Sequence, residues 1–114
     1  MDCIFCKIAN GTIPVDFLYS DELVVAFNDI APKAKTHILI VPRVHLSSAS
    51  ELKKEDSELL SRIFQVTNEL AEKMGINESG YRIITNHGKD AGQSVDHLHF
   101  HLVGGNDLGD IVGK

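Results

Sequence analysis

The sequence of 114 residues lacks several features that define large classes of protein. It contains no apolar run that approaches the roughly 20 residues needed by a membrane-spanning helix. It also lacks an excess of positive charge, because its formal net charge is −5. A broad nucleic-acid surface requires clustered lysine and arginine, so we expect no nucleic-acid partner. An anionic ligand would therefore need a local binding site rather than the field of the whole protein.

Internal repeats, low-complexity tracts and linkers are also absent, which predicts one domain over residues 1–114. The N-terminus has no basic segment followed by an apolar stretch, as a secretory signal requires. We therefore expect a cytoplasmic protein that does not associate with membranes. Cysteine is scarce, with only Cys3 and Cys6 in a Cys-x-x-Cys pair. In a reducing compartment such a pair is more often a metal or redox site than a structural disulfide.

The pattern of apolar residues predicts an α+β fold with a mostly antiparallel, five-stranded sheet. Residues 3–10 favour a short N-terminal helix, and apolar positions at steps of three and four predict one long helix between Asp56 as N-cap and Gly75. The predicted strands are residues 17–19, 23–27, 36–41, 81–85 and 96–103, of which the first two form a hairpin.

Three of the six histidines lie within the run of residues 97–101, His-Leu-His-Phe-His. In a strand these histidines would line one face, with Leu98, Phe100 and Leu102 turned toward the long helix. The outer two would be about 13 Å apart at Cα, which is too far for one three-histidine metal site. Imidazole is also a nucleophile that is largely neutral near pH 7. We therefore expect a division of labour among the three, the alternative being an exposed polar strand face.

Residues 93–103 resemble the histidine-triad (HIT) signature, in which His-x-His-x-His precedes two apolar residues. The chain is similar to the histidine-triad nucleotide-binding proteins, particularly the Hint branch. The resemblance covers nearly the whole chain. It is carried by Ile13-Pro14, residues 26–32, Thr36-His37-Ile38, Ile40-Val41-Pro42, Asn86, Gly92-Gln93-Ser94 and Gly104-Gly105. One departure is Asp96, which stands where many relatives carry an aromatic residue.

The resemblance implies a hydrolase that cleaves the P–N bond of nucleoside 5′-phosphoramidates or aminoacyl-adenylates. His99 would be the nucleophile that forms a nucleotidyl-histidine, which water then cleaves. His101 would donate to the phosphate or relay a proton, and His37 would orient the cluster. His97 would serve either as a proton relay or as a metal ligand. Ser94 would hydrogen-bond the phosphate or the departing amine.

The resemblance also implies a binding site for purine nucleotides such as AMP or GMP. Asp29 would accept hydrogen bonds from the ribose hydroxyls. The implied contacts with phosphate are Asn86, Gly92, Gln93, Ser94, His99 and His101, and the implied apolar slot for the base is Phe5, Phe27 and Ile30. On the residues alone, Phe27 and Ile30 are equally consistent with core positions, Asp29 with a turn and Asn86 with a strand end.

A structural zinc site is the one cofactor site that the sequence indicates, and we expect no organic cofactor. Cys3 and Cys6 supply half of a tetrahedral site. Zinc-binding relatives add a separate histidine and the first histidine of the active strand, which implies His45 and His97. Four protein ligands leave no open position, so the metal would be structural. The alternative is two free cysteines in the core and a surface His45.

Two other functions stay open, namely a dinucleoside polyphosphate hydrolase or nucleotidyltransferase, and a nucleotide-binding module without catalysis. Ser94 and the short C-terminus after Asn106 favour the Hint-like branch. The resemblance implies a homodimer whose sheets join edge to edge, through residues 81–85 or the long helix. Residues 108–114 would then reach the partner's site. His87 has no implied role and is expected in a solvated loop.

Overall fold

In a computed structural model, which describes residues 3–111, an antiparallel sheet lies between two helices. The strand order is β1-β2-β3-β5-β4 and every pairing is antiparallel. This confirms the predicted α+β class and the five-stranded sheet. The elements are α1 (Ile4–Ala9), β1 (Tyr19–Ser20), β2 (Val24–Asn28), β3 (Thr36–Pro42), α2 (Ser57–Lys73), β4 (Tyr81–Ile84) and β5 (Phe100–Gly104), with 3-10 turns at Ala49–Glu51, Lys54–Asp56 and Lys89–Ala91.

The two faces of the sheet form two separate cores because side chains alternate along each strand. On β2, Val24 and Ala26 pack with the apolar stripe of α2, whereas Val25 and Phe27 pack with α1. Leu98, Phe100 and Leu102 join the α2 core, as the alternation predicts. The histidines between them are therefore directed to the α1 face of the sheet.

The long helix begins and ends where the sequence predicts, between Asp56 at its N-cap position and Gly75. Gly75 has φ +73°, and its N–H donates to the carbonyl of Glu72 while that of Ile76 donates to Ala71. These two bonds form a Schellman motif, in which glycine avoids the steric cost of a left-handed conformation. Asp56 occupies the N-cap position without a side-chain cap bond. Its carboxylate instead accepts the N–H of Lys53 and stabilises the preceding 3-10 turn.

The strand predicted at residues 96–103 is wrong at its beginning, because β5 starts only at Phe100. Two backbone carbonyls of this segment accept hydrogen bonds from side chains and not from the N–H groups of a neighbouring strand. The carbonyl of His97 accepts the ring N–H of His99, and the carbonyl of His99 accepts the hydroxyl of Thr85. The N–H of Leu98 donates to Leu46 in the segment that follows β3. His97 and His99 therefore lie in an extended approach to β5.

The other predicted strands differ from the structure by a few residues. The first strand is shorter and later than residues 17–19, with Tyr19 and Ser20 paired to Ala26 and Val25. It thus still forms the predicted hairpin with β2. No helix among residues 3–111 is long and apolar enough to cross a membrane.

Candidate active site

His99 presents one ring nitrogen without a proton. It is 4% exposed, and its ring meets that of Phe5 edge to face at 5.1 Å between centroids. Its Nδ1 lies 2.7 Å from the carbonyl oxygen of His97. Because a carbonyl oxygen only accepts hydrogen bonds, Nδ1 carries the proton in neutral His99. Nε2 therefore keeps its lone pair, which is the state that a nucleophile requires.

His37 and His101 form a hydrogen-bonded pair with a defined direction. The backbone N–H of Lys33 donates to Nδ1 of His37 at 2.9 Å, so neutral His37 carries its proton on Nε2. This Nε2–H donates to Nδ1 of His101 at 2.9 Å. Neutral His101 consequently carries its own proton on Nε2. The ring centroid of His101 lies 5.0 Å from that of His99, so a hydrogen-bond donor stands beside the free ring nitrogen of His99.

Burial keeps this pair neutral near pH 7. Burial, with a smaller contribution from the neighbouring rings of His99 and His37, lowers the pKa of His101 to about 4. Burial also lowers the pKa of His37, an effect that the carboxylate of Asp29 opposes. Oδ2 of Asp29 lies 3.4 Å from Nε2 of His37. Both histidines are thus in the neutral state on which the direction of their hydrogen bond depends.

Acidification is expected to destabilise the folded protein partly through His101. The pKa of His101 is about 4 in the folded chain, below the roughly 6.5 of histidine in an unfolded chain. Between these values the unfolded chain binds more protons, so the free energy of unfolding rises with pH. Urea unfolding at intervals from pH 7 to pH 4 should give a shallower pH slope for His101→Gln than for the wild type. The control is His87→Gln, and equal slopes in all three proteins would contradict the assignment.

A second cluster brings together the four predicted metal ligands. Cys3, Cys6, His45 and His97 each offer one ligand atom, and these atoms all lie within 4.8 Å of one another. Nδ1 of His97 lies 3.2 Å from Sγ of Cys3, and Nδ1 of His45 lies 3.3 Å from Sγ of Cys6. The cluster joins α1 to the segment after β3 and to the segment before β5.

The hydrogen bonds of His97 are compatible with metal binding. Its Nε2 lies 2.8 Å from the carbonyl oxygen of Pro42, so Nε2 carries the proton and the lone pair of Nδ1 faces the sulfur atoms. Two thiolates and two imidazoles are a donor set that zinc accepts. The four side chains can therefore hold a metal ion. Both ring nitrogens of His97 are thereby engaged away from the reacting face of His99.

Asp29, His37 and His101 also lie close enough together to suggest a metal site, but their hydrogen bonds are incompatible with one. A metal bound to Nε2 of His37 would require the proton of that ring on Nδ1. Nδ1 already accepts the N–H of Lys33, so the two hydrogens would face each other. This cluster is therefore a hydrogen-bonded relay rather than a metal site.

An apolar slot of about 230 Å³ opens beside His99, between α1 and β2. The rings of Phe5 and Phe27 contact each other edge to face, with 5.9 Å between their centroids, and form part of its wall. Ile30 is fully exposed at the slot, which excludes the core position that was its alternative. The predicted site residues that line the slot are Phe5, Phe27, Asp29, Ile30, Ser94, His99 and His101.

A second cavity, of about 550 Å³, adjoins the slot. It shares Asp29, Ser94 and His101 with the slot and adds His37 and Asn86 from the predicted set. The amide of Asn86 donates to the carbonyl of Ala91 within the loop that carries Ser94. The slot and the second cavity thus meet at Asp29, Ser94 and His101.

Gly92 and Gln93, predicted to contact phosphate, line neither the slot nor the second cavity. Gln93 instead fixes the loop, since its amide oxygen accepts the N–H of Gly88 and its amide nitrogen donates to the carbonyl of Ser47. Gly92 has φ +77°, a left-handed conformation that favours glycine. In the structure these two residues therefore determine the shape of the loop.

Several groups that orient the site have no signal in the sequence. They are the hydroxyl of Thr85, the N–H of Lys33 and the carbonyl of Pro42, of which two are backbone atoms that any residue type supplies. His87 is exposed as expected, but its Nδ1 lies 2.7 Å from the hydroxyl of the buried Ser48. This contact ties the loop of Ser94 to the segment that follows His45.

Comparisons with known proteins agree on one family. The HIT domain model matches residues 10–108. The purine nucleoside phosphoramidase of Escherichia coli strain K12 is 43% identical over 111 residues, which are 97% of this chain and 93% of that protein. Among solved structures, a HIT family hydrolase from Clostridium thermocellum is 45% identical with a TM-score of 0.94 over 97% of both chains. The histidine triad nucleotide-binding protein of Candida albicans is 31% identical, with a TM-score of 0.81 over 98% of this chain and 87% of that one.

Proposed function

The chain belongs to the HIT family and is a hydrolase of that family, and from this premise we propose that it cleaves the P–N bond of purine nucleoside 5′-phosphoramidates or aminoacyl-adenylates. The observation that carries the proposal is the unprotonated Nε2 of His99 beside an apolar slot. The 43% identity with a purine nucleoside phosphoramidase supports the choice of substrate. The comparisons confirm the predicted family membership, and the substrate is what we propose in addition.

The two cavities support a division of the substrate among the predicted residues. The purine base occupies the slot and lies against the wall formed by Phe5 and Phe27, with Ile30 at its mouth. The ribose hydroxyls donate to Asp29, and the phosphate lies between His99 and His101. Asn86 and Ser94 contact the phosphate or the departing nitrogen, while Gly92 and Gln93 act through the shape of their loop.

The chemical step that this arrangement favours is a displacement at phosphorus in two stages. Nε2 of His99 attacks phosphorus, a P–Nε2 bond forms, and the P–N bond of the substrate breaks with its electron pair on the departing nitrogen. That nitrogen takes up a proton from the solvent and leaves as an amine. Water then attacks phosphorus and releases a proton to the solvent, the P–Nε2 bond breaks, and His99 returns to its starting state.

His101 is the proposed donor to the reacting phosphate group. Its Nε2–H points away from His37, so it can donate a hydrogen bond to a phosphoryl oxygen or to the departing nitrogen. His37 holds His101 in this tautomer and is itself held by the N–H of Lys33. His97 has no proposed part in proton transfer, since both of its ring nitrogens are engaged elsewhere.

Zinc is the proposed occupant of the cluster of Cys3, Cys6, His45 and His97, because two thiolates and two imidazoles are ligands that zinc prefers. The bound ion would act as a structural crosslink. His97 then has a second effect, since its carbonyl holds the Nδ1–H of His99. A fixed His97 therefore favours the reactive tautomer and orientation of the nucleophile. No organic cofactor has a part in the proposed reaction.

A homodimer and a cytoplasmic location complete the proposal and rest on the family resemblance. The strand β4 is an edge strand of the sheet and carries unpaired backbone groups suitable for joining a second sheet. Leu108, predicted to reach the partner's site, lines the second cavity of its own chain, and residues 112–114 lie outside the described residues. Sedimentation of the purified protein tests the dimer.

The direct test of the substrate is a rate comparison between two nucleotide classes. We expect AMP release from adenosine 5′-phosphoramidate at a kcat/KM at least about 100-fold above that for diadenosine tetraphosphate, a difference of roughly 2.7 kcal/mol in activation free energy. The reverse ratio would favour the dinucleoside polyphosphate hydrolase. Binding of AMP with no turnover of either compound would favour the nucleotide-binding module.

Replacing Phe27 by leucine is expected to weaken nucleotide binding without changing chemistry at phosphorus. Leucine keeps the slot apolar but removes the aromatic contact with the base, which is worth about 0.5–1.5 kcal/mol. KM for adenosine 5′-phosphoramidate should therefore rise about threefold to tenfold, while kcat changes less than twofold. The matched control is Phe64→Leu on α2, since Phe64 packs against Phe100 away from the slot. A fall in kcat with unchanged KM would contradict the placement of the base.

A further inference from the structure

Part of the wall of the second cavity does not contact the base, ribose or phosphate in the proposed placement of the substrate. Part of its wall is apolar, from Ile84, Val103 and Leu108. Another part is cationic, from Lys33 and Arg82. The cavity meets the phosphate position at Ser94 and His101. A group bound there would be attached to phosphorus on the side away from the base.

The strand register places Arg82 on the same face of the sheet as the catalytic histidines. Arg82 pairs with Val103, and Val103 pairs with His37, so these three residues form one row across β4, β5 and β3. Ile84 and His101 belong to the next row. Because side chains two residues apart share a face, Arg82 lies on the face of His101, one row along the strand.

The position of His99 indicates what occupies this cavity. His99 lines the slot but not the second cavity, whereas His101 lines both. In a displacement at phosphorus the leaving group departs roughly opposite to the attacking atom. A group that leaves opposite to Nε2 of His99 is therefore directed into the second cavity.

The charges of this cavity favour an anionic leaving group. Asp29 is its one carboxylate, and Asp29 is engaged by the N–H of Ala31 and by His37. Neither Lys33 nor Arg82 forms a salt bridge with a carboxylate among residues 3–111. The positive charge of Lys33 contributes to the lowered pKa of His37. Two unpaired cations in a concave site attract an anion more strongly than they would on a flat surface.

Arg82 is also held in position. Its Nη2 donates to the carbonyl of Gly109 at 2.8 Å, which ties the segment containing Leu108 over the cavity. Guanidinium has five N–H groups in a planar fork that matches a carboxylate. The bond to Gly109 uses one of them, so the others remain to bind a ligand.

We propose that the second cavity receives the departing amine and that Arg82 selects amines that carry a carboxylate, as N-linked amino acids do. The apolar wall would contact the aliphatic part of the amine, and the guanidinium would bind its carboxylate. The inference rests on the proposed function, since it names the leaving group of the same reaction. Arg82 is in this account a specificity residue and takes no part in the chemistry at phosphorus.

The test compares two substrates that differ only in charge. The first is adenosine 5′-phosphoramidate with 4-aminobutyrate on the phosphorus, and the second carries the corresponding amide. Their carboxylate and amide are remote from the P–N bond, so the reactivity of the departing nitrogen is nearly the same. The ratio of kcat/KM values within one protein preparation also cancels errors in active-enzyme concentration. The proteins are wild type, Arg82→Gln and, as a matched control, Lys54→Gln in the 3-10 turn before α2.

We expect wild type and Lys54→Gln to prefer the carboxylate substrate by about tenfold to 100-fold, the range of one charge-assisted hydrogen bond. In Arg82→Gln the ratio should fall to about one. Turnover of both substrates at equal kcat/KM in the wild type would overturn this inference and leave the proposed function intact. A preference that persists in Arg82→Gln would overturn the assignment to Arg82. Turnover of neither substrate would overturn the proposed function and this inference with it.

Discussion

Substitution of His99 by alanine should lower kcat/KM for adenosine 5′-phosphoramidate by at least about 10⁴-fold, because no other ring nitrogen at the slot is free of a proton and of a partner. Nδ1 of His101 accepts from His37, and Nδ1 of His37 accepts from Lys33. Neither of these histidines can therefore replace His99 as the nucleophile. AMP should still bind, since the slot lined by Phe5 and Phe27 remains.

The controls for this prediction separate chemistry from folding. His99→Asn keeps a polar side chain at the buried position and should be as inactive as His99→Ala. Lys54→Ala removes an exposed side chain of the 3-10 turn before α2 and should retain activity within about threefold, which is the usual scale for a surface substitution. Binding of AMP to both His99 variants, measured by calorimetry, confirms that the slot is folded. Turnover in His99→Ala above about one per cent of wild type would contradict the assigned nucleophile.

The second large effect concerns the metal cluster. We expect about one zinc ion per chain in the wild type and less than about one tenth of that in Cys6→Ser, because a hydroxyl is a poor replacement for a thiolate ligand. The cluster ties three segments of the chain together, so its loss should lower the free energy of unfolding by roughly 3–5 kcal/mol. The melting temperature should fall by about 10–20 °C for a domain of this size.

A chelator supplies the matched control for this experiment. Treatment of the wild type should lower its melting temperature toward that of Cys6→Ser, and the same treatment should leave Cys6→Ser unchanged. Zinc content is measured on the same samples by atomic emission. A wild type that binds no zinc, or one whose melting temperature does not respond to chelation, would reduce the two cysteines to residues of the α1 core.

The fold could be predicted closely because its signals are local and repeated. The apolar stripe of α2 and Gly75 at its end indicate the helix, and alternation assigns Leu98, Phe100 and Leu102 to the α2 core. The one substantial error, the early start of β5, has a physical cause. A strand continues only where its backbone carbonyls accept hydrogen bonds from a neighbouring strand. Before Phe100 they accept from side chains, as the carbonyl of His99 does from Thr85, and such tertiary contacts are not visible in the sequence.

The site could be predicted in its residue types but not in its protonation states. The Cys-x-x-Cys pair and the His-x-His-x-His run indicate part of the two clusters, and the family resemblance implies the remaining members, Asp29, His37 and His45. The tautomers of His37, His97 and His99 depend on partners that are backbone atoms of Lys33, Pro42 and His97. Any residue type supplies such atoms, so the sequence carries no signal for them. The same reason explains why Gln93 could be assigned to phosphate although its amide holds the loop.

The measurement that tests the central claim most directly is rapid alkaline quench of single turnovers, followed by intact-mass and peptide mass spectrometry. The account predicts a transient adduct of one nucleotidyl group on the peptide containing His99, stable in alkali and labile in acid as a phosphoramidate is. The adduct should be absent from His99→Ala. Turnover of the substrate with no adduct at any time, or an adduct on His101 or His97, would contradict the account.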